Sequence, residues 1–367
     1  IDLLTTGTVT ASIVTTETID SLKTLTGTNN AYTIVISETS ASASDLNTIN
    51  GLTTATVNLT NVTSVTSGAL SDLDTLATAI NASPAQFINA TNLTTNAVSD
   101  TAIDISNSSS TIDSLDLIDS GSSIDMNMAS GATITVAASE ITEMLTDESA
   151  GRLTISDQNI TVEGAISVSD ANLLDATTTG TVTAEISSSS VDTLKTLTGT
   201  NAYTITIAAA DATGSTASEL TTISNATTVA IDASAVTGLA SDTAANIKTL
   251  LTAGNDTAQF TGASFESLAT AVVSDTTLSG SELAGAIDQA NTATGGTGTV
   301  FTISAVDTIT GSEANFTDLL TDEGKNQIAI TDQALTVNTG EVSVSTARAL
   351  SQATTGTVTG TITSGTT

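Results

Sequence analysis

The chain has 367 residues, of which 39 are acidic and six are basic, so its formal charge at pH 7 is −33. It contains neither histidine nor cysteine, which excludes disulfides, imidazole and thiolate metal sites, and both Ser-His and Cys-His catalytic pairs. Nucleic acid is excluded as a partner as well, because DNA or RNA binding requires basic patches that neutralise phosphates.

Short helices are predicted where two apolar residues stand three apart and follow an acid or a hydroxyl residue. Such a pair lies on one helix face, and negative charge is favoured at a helix N-terminus. In chain order the pairs are Leu22/Leu25, Leu46/Ile49, Leu73/Leu76, Leu115/Ile118, Ile141/Met144, Leu194/Leu197, Leu220/Ile223 and Ile247/Leu250. Each pair predicts a helix of one to three turns.

Short strands are predicted between these helices, where apolar and hydroxyl residues alternate in stretches rich in β-branched side chains. In chain order they are residues 8–10, 32–36, 55–59, 133–136, 153–156, 181–183, 203–207, 301–304 and 328–330. Strand, turn and helix thus return about every 25 residues. Residues 89–130 fit this pattern poorly and are predicted to form an irregular coil or a loop.

A longer repeat contains the short one. The letters TTGTVT occur at residues 5–10, 178–183 and 354–359, and LKTLTGT occurs at residues 22–28 and 194–200. The period is about 175 residues, which is typical of a tandem repeat array. We predict one superrepeat over residues 1–172, a second over 173–347, each of about seven coils, and the start of a truncated third over 348–367.

The predicted fold follows from the size of the short repeat. One strand and one short helix cannot bury both of their apolar sides, whereas stacked units bury a continuous strip. We therefore expect a parallel, right-handed β-solenoid with short helices on one side and about 25 residues per coil. The alternative is a string of tandem β-sandwich domains, because turn signals between closely spaced strands fit parts of residues 133–186.

Calcium is the candidate cation, because carboxylates are the oxygen ligands that it prefers. The weak candidates are Asp113, Asp116, Asp119, Asp170 and Asp175. Helix caps and solvated faces explain them better than a calcium site does, since no D-x-D-x-D-G loop or glycine-rich nonapeptide array accompanies them. Paired carboxylates for glycoside cleavage are disfavoured by the scarcity of aromatic and basic residues. No catalytic or cofactor-binding residue is predicted.

The TTGTVTA and LKTLTGTNAYTITI segments, the long array, the acidic balance and the absence of cysteine carry a family resemblance. The chain resembles the Thr/Ser-rich tandem repeats of very large bacterial cell-surface proteins, such as those of marine cyanobacteria. The resemblance implies an extracellular, non-enzymatic role in a surface layer, adhesin or filament. It carries over no functional residues.

The expected function is that of a structural extracellular protein. Both ends of the sequence fall inside a repeat, and we expect copies to associate head to tail into a filament, layer or matrix, with divalent cations as possible partners. The first residue is Ile1 rather than Met, which suggests a processed chain or part of a longer one. Membrane insertion is not expected, since no run of roughly 18 apolar residues occurs. The alternatives are an adhesin stalk and a glycan- or ice-binding module.

Overall fold

The computed structural model describes residues 5–27, 29–66, 68–90, 93–95, 102–104, 126–151, 153–262, 264–294 and 298–363. The chain divides into two compact units. Unit 1 comprises Ile1–Ala165 and Leu173–Ala184, and unit 2 comprises Ile166–Asn172 and Glu185–Thr367. This division follows spatial contacts and does not test the predicted repeat boundaries, which stay a prediction.

The described part of the chain contains eleven α-helices of 4 to 14 residues. They are α1 (Ile19–Leu22), α2 (Ala43–Asn50), α3 (Leu70–Asn81), α4 (Ile141–Ser149), α5 (Val168–Thr177), α6 (Val191–Leu194), α7 (Ala217–Asn225), α8 (Ala244–Gly254), α9 (Gly280–Ala293), α10 (Glu313–Gly324) and α11 (Val344–Ala353). Two short 3-10 turns, Ala138–Glu140 and Ala209–Asp211, accompany them.

Hydroxyl side chains begin most of these helices, because a serine or threonine oxygen can accept a free N–H of the first turn. Thr216 caps α7 in this way, and the Glu219 carboxylate accepts the N–H of Thr216, which completes a capping box. Leu220 and Ile223 stand three apart on the buried side of the same helix. Cap and apolar pair together therefore set where the helix begins and which face it buries.

The strands are short, and every strand pair whose register is described runs parallel. They are β1 (Thr10–Ser12), β2 (Ala31–Thr33), β3 (Ser40–Ser42), β4 (Val57–Asn58), β5 (Ser64–Thr66), β6 (Phe87–Ile88), β7 (Thr94–Thr95), β8 (Ala102–Asp104), β9 (Met126–Asn127), β10 (Thr133–Ala137), β11 (Leu153–Thr154), β12 (Asn159–Ile166), β13 (Val182–Ile186), β14 (Ala202–Thr204), β15 (Gly238–Asp242), β16 (Thr270–Val273), β17 (Thr277–Ser279), β18 (Val300–Thr302), β19 (Thr308–Ser312), β20 (Ala334–Thr339) and β21 (Val358–Thr359).

Each unit holds several small sheets. In unit 1 the pairings include β1 with β2, β4 with β6, β9 with β11, the order β3-β5-β7, and β10 between β8 and β12. Unit 2 contains the orders β15-β16-β18 and β17-β19-β20-β21. The core consists of the inward residues of these strands and the apolar faces of the helices; Ile134 and Val136 on β10 and Leu46 on α2 are fully buried.

The predicted β-solenoid is wrong. The chain is a mixed α/β structure with several separate parallel sheets of two to five strands and eleven helices in its described part. The alternative of tandem β-sandwiches is wrong as well, because sandwich sheets are antiparallel and the described strand pairs are parallel.

The difference lies in which strands pair. In unit 2, β15, β16 and β18 form one sheet and β17, β19, β20 and β21 form another, so successive strands do not join a single ladder. α9 lies between β17 and β19, which are nevertheless neighbours in one sheet. The sequence pattern places strands and helices correctly in several places, but alternation within a strand does not specify which strands share a sheet.

Candidate functional site

Four Thr-Thr pairs join one chain segment to another segment that precedes it by about one strand-helix unit. In each pair the first threonine is buried, and its hydroxyl donates to a backbone carbonyl at 2.6–2.8 Å. The pairs of donor and acceptor are Thr53 and Tyr32, Thr178 and Gln158, Thr227 and Tyr203, and Thr354 and Gln333. We call this arrangement the Thr-Thr turn.

Two further hydrogen bonds complete each Thr-Thr turn. At Thr178, the hydroxyl accepts the N–H of Gly180 at 2.9 Å, and the N–H of Thr179 donates to the carbonyl of Ser156 at 2.9 Å. Equivalent bonds form at Thr354, where Gly356 N–H donates to the hydroxyl at 2.9 Å and Thr355 N–H donates to the Thr331 carbonyl at 2.8 Å. The turn thus satisfies polar groups that would otherwise be buried without partners.

Glycine is required at two of these turns because the backbones approach closely. A Cβ atom on Gly180 would lie 2.1 Å from the Gln158 carbonyl oxygen. On Gly356 it would lie 2.5 Å from the carbonyl oxygens of Asp332 and Gln333. Only a residue without a side chain fits at such distances. The TTG letters of the long repeat therefore encode a close contact between backbones.

We call the groove that holds residues 354–359 the TTG slot; it is formed by residues 331–333 and β20. Within it, β21 pairs parallel with β20, and the carbonyl of Thr357 accepts the N–H of Leu335 at 2.9 Å. Residues 178–183 occupy a matching groove beside Gln158, where the carbonyl of Thr181 accepts the N–H of Ile160 at 3.0 Å.

The first TTGTVT copy, residues 5–10, forms the same turn without a groove around it. Gly7 N–H donates to the Thr5 hydroxyl at 3.0 Å, as in the other copies. Thr5 is exposed, whereas its counterparts Thr178 and Thr354 are 6% and 8% exposed. In the described part of the chain β1 pairs with β2.

Two lysines hold neighbouring helices together by the same geometry. Lys195 Nζ lies 2.5 Å from Asp192 on its own helix and 2.7 Å from Glu219 at the start of α7. Hydrogen bonds to Asp192 and Glu219 raise the pKa of the Lys195 ammonium. Lys23 lies between Asp20 at 3.1 Å and Asp45 at 2.7 Å in the corresponding position. These pairs are partly exposed, so each contributes little to stability.

Carboxylates also cap helices other than their own. Asp242 Oδ2 accepts the N–H of Ser218 in the first turn of α7 at 2.7 Å, and Asp275 Oδ2 accepts the N–H of Ala244 in α8 at 2.8 Å. Glu38 accepts the N–H of Ile19 at 2.7 Å, and Glu313 accepts the N–H of Ser343 at 3.0 Å. A negative charge at a helix N-terminus is stabilising, so these acids have a structural role.

The pKa values follow from these contacts. Burial raises the pKa of Asp242, but hydrogen bonds from the Asn246 amide and from the Ser218 N–H outweigh burial, and the pKa lies below its usual value. Hydrogen bonds from Ser343 and Thr346 lower the pKa of Glu313. Asp322 behaves in the opposite way: burial raises the pKa of its carboxyl, and Lys325 at 3.2 Å offsets this only in part.

The calcium candidates are only partly covered by the structure. Asp170 is half-buried in the first turn of α5, where its Oδ2 accepts the Ser167 hydroxyl at 2.7 Å. Asp175 lies later in α5, about 140° around the helix axis from Asp170, so the two carboxylates diverge. Asp113, Asp116 and Asp119 lie outside the described residues.

Among the residues that the structure describes, no group of three or more acids is arranged to hold a metal ion. The calcium prediction is not tested by this and stays a prediction.

Two hollows in the surface are open to solvent and lined mainly by polar residues. One of about 430 Å³ in unit 1 is lined by uncharged residues, among them Asn50, Thr54 and Gln86. Another of about 590 Å³ in unit 2 lies beside α7 and α8, and its charged residues are Lys248 and Asp256. These linings offer hydrogen bonds but bring together no pair of carboxylates.

Comparisons of the chain with protein-family models, with curated proteins and with solved structures found no match. None of the helices in the described ranges has both the length and the apolar character that a membrane span requires.

The residues that form the TTG slot were not predicted from the sequence. The repeated letters DQ at residues 157–158 and 332–333 were visible, as was TTGTVT, which was expected to form one strand. The usable signal was their near-constant separation, since the Thr hydroxyl and the Gln carbonyl that it contacts are 20 residues apart in one copy and 21 in the other. That spacing shows that the two segments repeat together, whereas their contact is seen only in the structure.

Proposed function

We propose that the chain is a non-catalytic structural protein of the cell exterior that associates with further copies of itself into a filament, layer or matrix. The observation that carries the proposal is the recurrence of the Thr-Thr turn at Thr53, Thr178, Thr227 and Thr354. The buried threonine hydroxyls at these positions donate to backbone carbonyls of the same chain. Repeated hydrogen bonds of this kind within one chain are typical of a structural protein.

The shifted carboxylates support the same interpretation. Perturbed pKa values often mark catalytic groups, but structural networks of ion pairs and hydrogen bonds perturb them too. Glu219 is held by Lys195 and by the Thr216 N–H, and Asp242 is held by three donors that include the first turn of α7. Each shift therefore has a structural cause, and we assign these acids to stability.

The charge defines the conditions under which copies would associate. Two chains of charge −33 repel each other at low ionic strength, and salt or divalent cations weaken that repulsion. Divalent cations are thus proposed partners, and nucleic acid is not. The resemblance to Thr/Ser-rich surface repeats of bacteria agrees with a role in a salty exterior medium.

Sedimentation analysis and negative-stain microscopy of the purified chain test the proposal. Samples over a range of protein concentrations would be compared at low salt, in NaCl, and in CaCl₂ at the same ionic strength. We expect monomers at low salt and larger species as ionic strength rises, with calcium above NaCl if it bridges carboxylates. A chain that stays monomeric in all three media contradicts the proposal.

A further inference from the structure

We propose that outward threonines on two parallel sheets, one sheet in each unit, form surfaces that bind ice. We call each group of these residues a threonine array. The array of unit 1 lies on β10, β12 and the start of β13, and the array of unit 2 lies on β17, β19 and β20. The inference goes beyond the proposed self-association, because its ligand is crystalline water and its site is a face of the folded monomer.

The register of the sheet in unit 2 aligns these side chains in columns. Thr310 of β19 pairs with Ser279 of β17 on one side and with Thr336 of β20 on the other, so three hydroxyl residues stand side by side. Two residues earlier, Thr308 pairs with Thr277. Side chains two residues apart on a strand point to the same face, so both columns share one face of the sheet.

The same column recurs in unit 1. Thr135 of β10 pairs with Thr161 of β12, and β13 is the next strand of this sheet. The N–H of Ile160 donates to the Thr181 carbonyl at 3.0 Å. In a parallel pair an N–H donates to the residue that precedes its partner, so this bond places Thr183 beside Thr161. Two parts of the chain thus build the same arrangement.

The threonine hydroxyls of the arrays are available to a ligand. Within the described ranges, the hydroxyls that make no hydrogen bond to another group are those of Thr135, Thr161, Thr183, Thr277, Thr308, Thr310 and Thr336. Exposed threonines on helices behave differently, because they donate to the carbonyl four residues earlier, as Thr249 does to Ala245 at 2.8 Å. The array hydroxyls are therefore left to water.

The chemistry of the arrays selects an uncharged ligand. Asn159 stands beside Thr133, and Ala334 stands beside Thr308, so the positions without a hydroxyl residue are uncharged as well. Such a face offers no carboxylate to a metal ion and no cation to a phosphate. Both tyrosines and all five phenylalanines of the chain are buried, so no aromatic ring is available to stack on a sugar. Water fits this face better than a polysaccharide does.

The spacing of the arrays is fixed by the backbone. Neighbouring strands lie about 4.8 Å apart, and alternate residues along a parallel strand lie about 6.6 Å apart. Water oxygens on the prism faces of ice repeat at similar intervals in two perpendicular directions. Threonine is also stiff at χ1, so little side-chain entropy is lost when water becomes ordered against it. The face therefore suits a water lattice better than a single soluble molecule.

Ice-affinity partitioning tests the proposal. A single ice body is grown slowly from a dilute solution of the purified chain, and the protein concentrations in the ice and in the remaining liquid are compared by gel densitometry. Advancing ice excludes proteins that do not bind it. We expect the chain to be about tenfold more concentrated in the ice than a non-binding globular protein treated in the same way, and to slow the recrystallisation of fine-grained ice.

A double variant, Thr161→Lys with Thr310→Lys, places a long side chain at the centre of a column in each array. The matched control is Thr249→Lys with Thr317→Lys, which makes the same change of charge at two exposed helix threonines. We expect the array variant to lose the tenfold enrichment and the control to keep it. Circular dichroism melts check that both fold.

The second array variant, Thr161→Val with Thr310→Val, keeps the branched shape and removes only the hydroxyls. It should also lower the enrichment, with an unchanged melting curve, and it decides the question if the lysine variant does not fold.

Each result supports or overturns the arrays. Enrichment that falls in the array variants and persists in the helix control supports them. Enrichment that the array variants retain overturns the site, and exclusion of the unaltered chain from ice overturns the activity. Retention on crystalline cellulose or chitin without enrichment in ice also overturns it, because the ligand is then a polysaccharide. Sedimentation tests self-association separately, so either proposal can fail while the other stands.

Discussion

At Thr178 one side chain serves two backbone groups. Its hydroxyl donates to the Gln158 carbonyl at 2.6 Å and accepts the Gly180 N–H at 2.9 Å, and the residue is 6% exposed. A buried carbonyl or N–H that loses its partner retains the full cost of leaving water. The turn therefore depends on this hydroxyl more than on the shape of the threonine.

Thr178→Val preserves the branched shape and removes the hydroxyl. It leaves the Gln158 carbonyl and the Gly180 N–H without their partner, and we expect a loss of about 1–3 kcal/mol in the free energy of unfolding. Thermal and urea unfolding followed by circular dichroism would measure the loss.

Thr179→Val is the matched control for this change. Thr179 is exposed, and its N–H already donates to the Ser156 carbonyl that its hydroxyl also contacts. Its effect should stay within about 0.5 kcal/mol. Equal losses for the two variants would show that the buried hydroxyl has no special role.

Between elements, carboxylates in one segment accept hydrogen bonds from the first-turn N–H groups of helices in another segment. The Asp242 side chain lies at the end of β15, yet it accepts the Ser218 N–H of α7 as well as the N–H of its neighbour Thr243. The free N–H groups of a helix start need such partners, and a charged acceptor adds the attraction of the helix dipole. Acidic residues thus fix the position of one element against the next.

Asp242→Asn should therefore destabilise unit 2. The variant has nearly the same shape, but it loses the charge and presents an amide donor to groups that are themselves donors. We expect a loss of about 1.5–3 kcal/mol, the range for hydrogen bonds to charged groups, measured by urea unfolding. The control is Glu282→Gln, at an exposed acid in the first turn of α9, which should cost less than about 1 kcal/mol. A loss for Glu282→Gln as large as that for Asp242→Asn would refute the bridging role.

Individual helices were predictable from the sequence where two apolar residues stand three apart behind a cap. Leu46 with Ile49 and Leu220 with Ile223 lie in α2 and α7, and serine or threonine caps both helices. α9 does not fit this rule because half of its buried residues are alanine and its larger pair, Leu283 and Ile287, stands four apart. Leu115 and Ile118 lie outside the described residues.

The arrangement of the sheets was not predictable from the same pattern. Ser40 pairs with Ser64, whereas Thr270 pairs with Val300, so the chain length between paired strands is not constant. Alternation of apolar and polar residues identifies a strand but not how many neighbours it has. Sheet boundaries depend on which strands pair, and the letters of a single strand do not carry that information.

The sequence indicated only one of the two partners that meet at the TTG slot. The repetition of TTGTVT identified the threonine side of the contact. The other partner is the backbone carbonyl of Gln158 or Gln333, and every residue type has such a carbonyl, so the sequence does not identify it. The need for Gly180 also depends on a distance between two chain segments. Both facts required coordinates.

For the molecule as a whole, stability should depend strongly on acid. Hydrogen bonds and ion pairs hold the pKa of Asp45, Glu219, Asp242 and Glu313 below their usual values. Groups of this kind stabilise the folded chain above their unfolded pKa, which is about 4, and the stabilisation is lost as pH falls through their folded pKa.

We therefore expect the melting temperature to fall below about pH 4. The measurement belongs in about 1 M NaCl, because screening then removes the opposite effect, the relief of charge repulsion as acids are protonated. A melting temperature that is constant or rises from pH 5 to pH 3 under these conditions contradicts the expectation.

Asp322 supplies an internal control with the opposite sign. Its pKa is raised, so its contribution is present below its unfolded pKa and is lost as pH rises through the folded value. Asp322→Asn should remove this loss and make stability at neutral pH equal to or greater than that of the unaltered chain, while the decline in acid persists. Circular dichroism melts of both proteins between pH 3 and pH 7 would show it.

The pairing of Thr178 with Gln158 and of Thr354 with Gln333 has a consequence for how such a gene can grow. A repeat that begins with the TTG turn and includes the Gln carbonyl near its end carries both partners of the contact that joins it to the next repeat. If it is duplicated or deleted by unequal recombination, the new junction places the same donor beside the same acceptor. The number of repeats in the chain can then change between descendants without a new interface having to evolve at the junction.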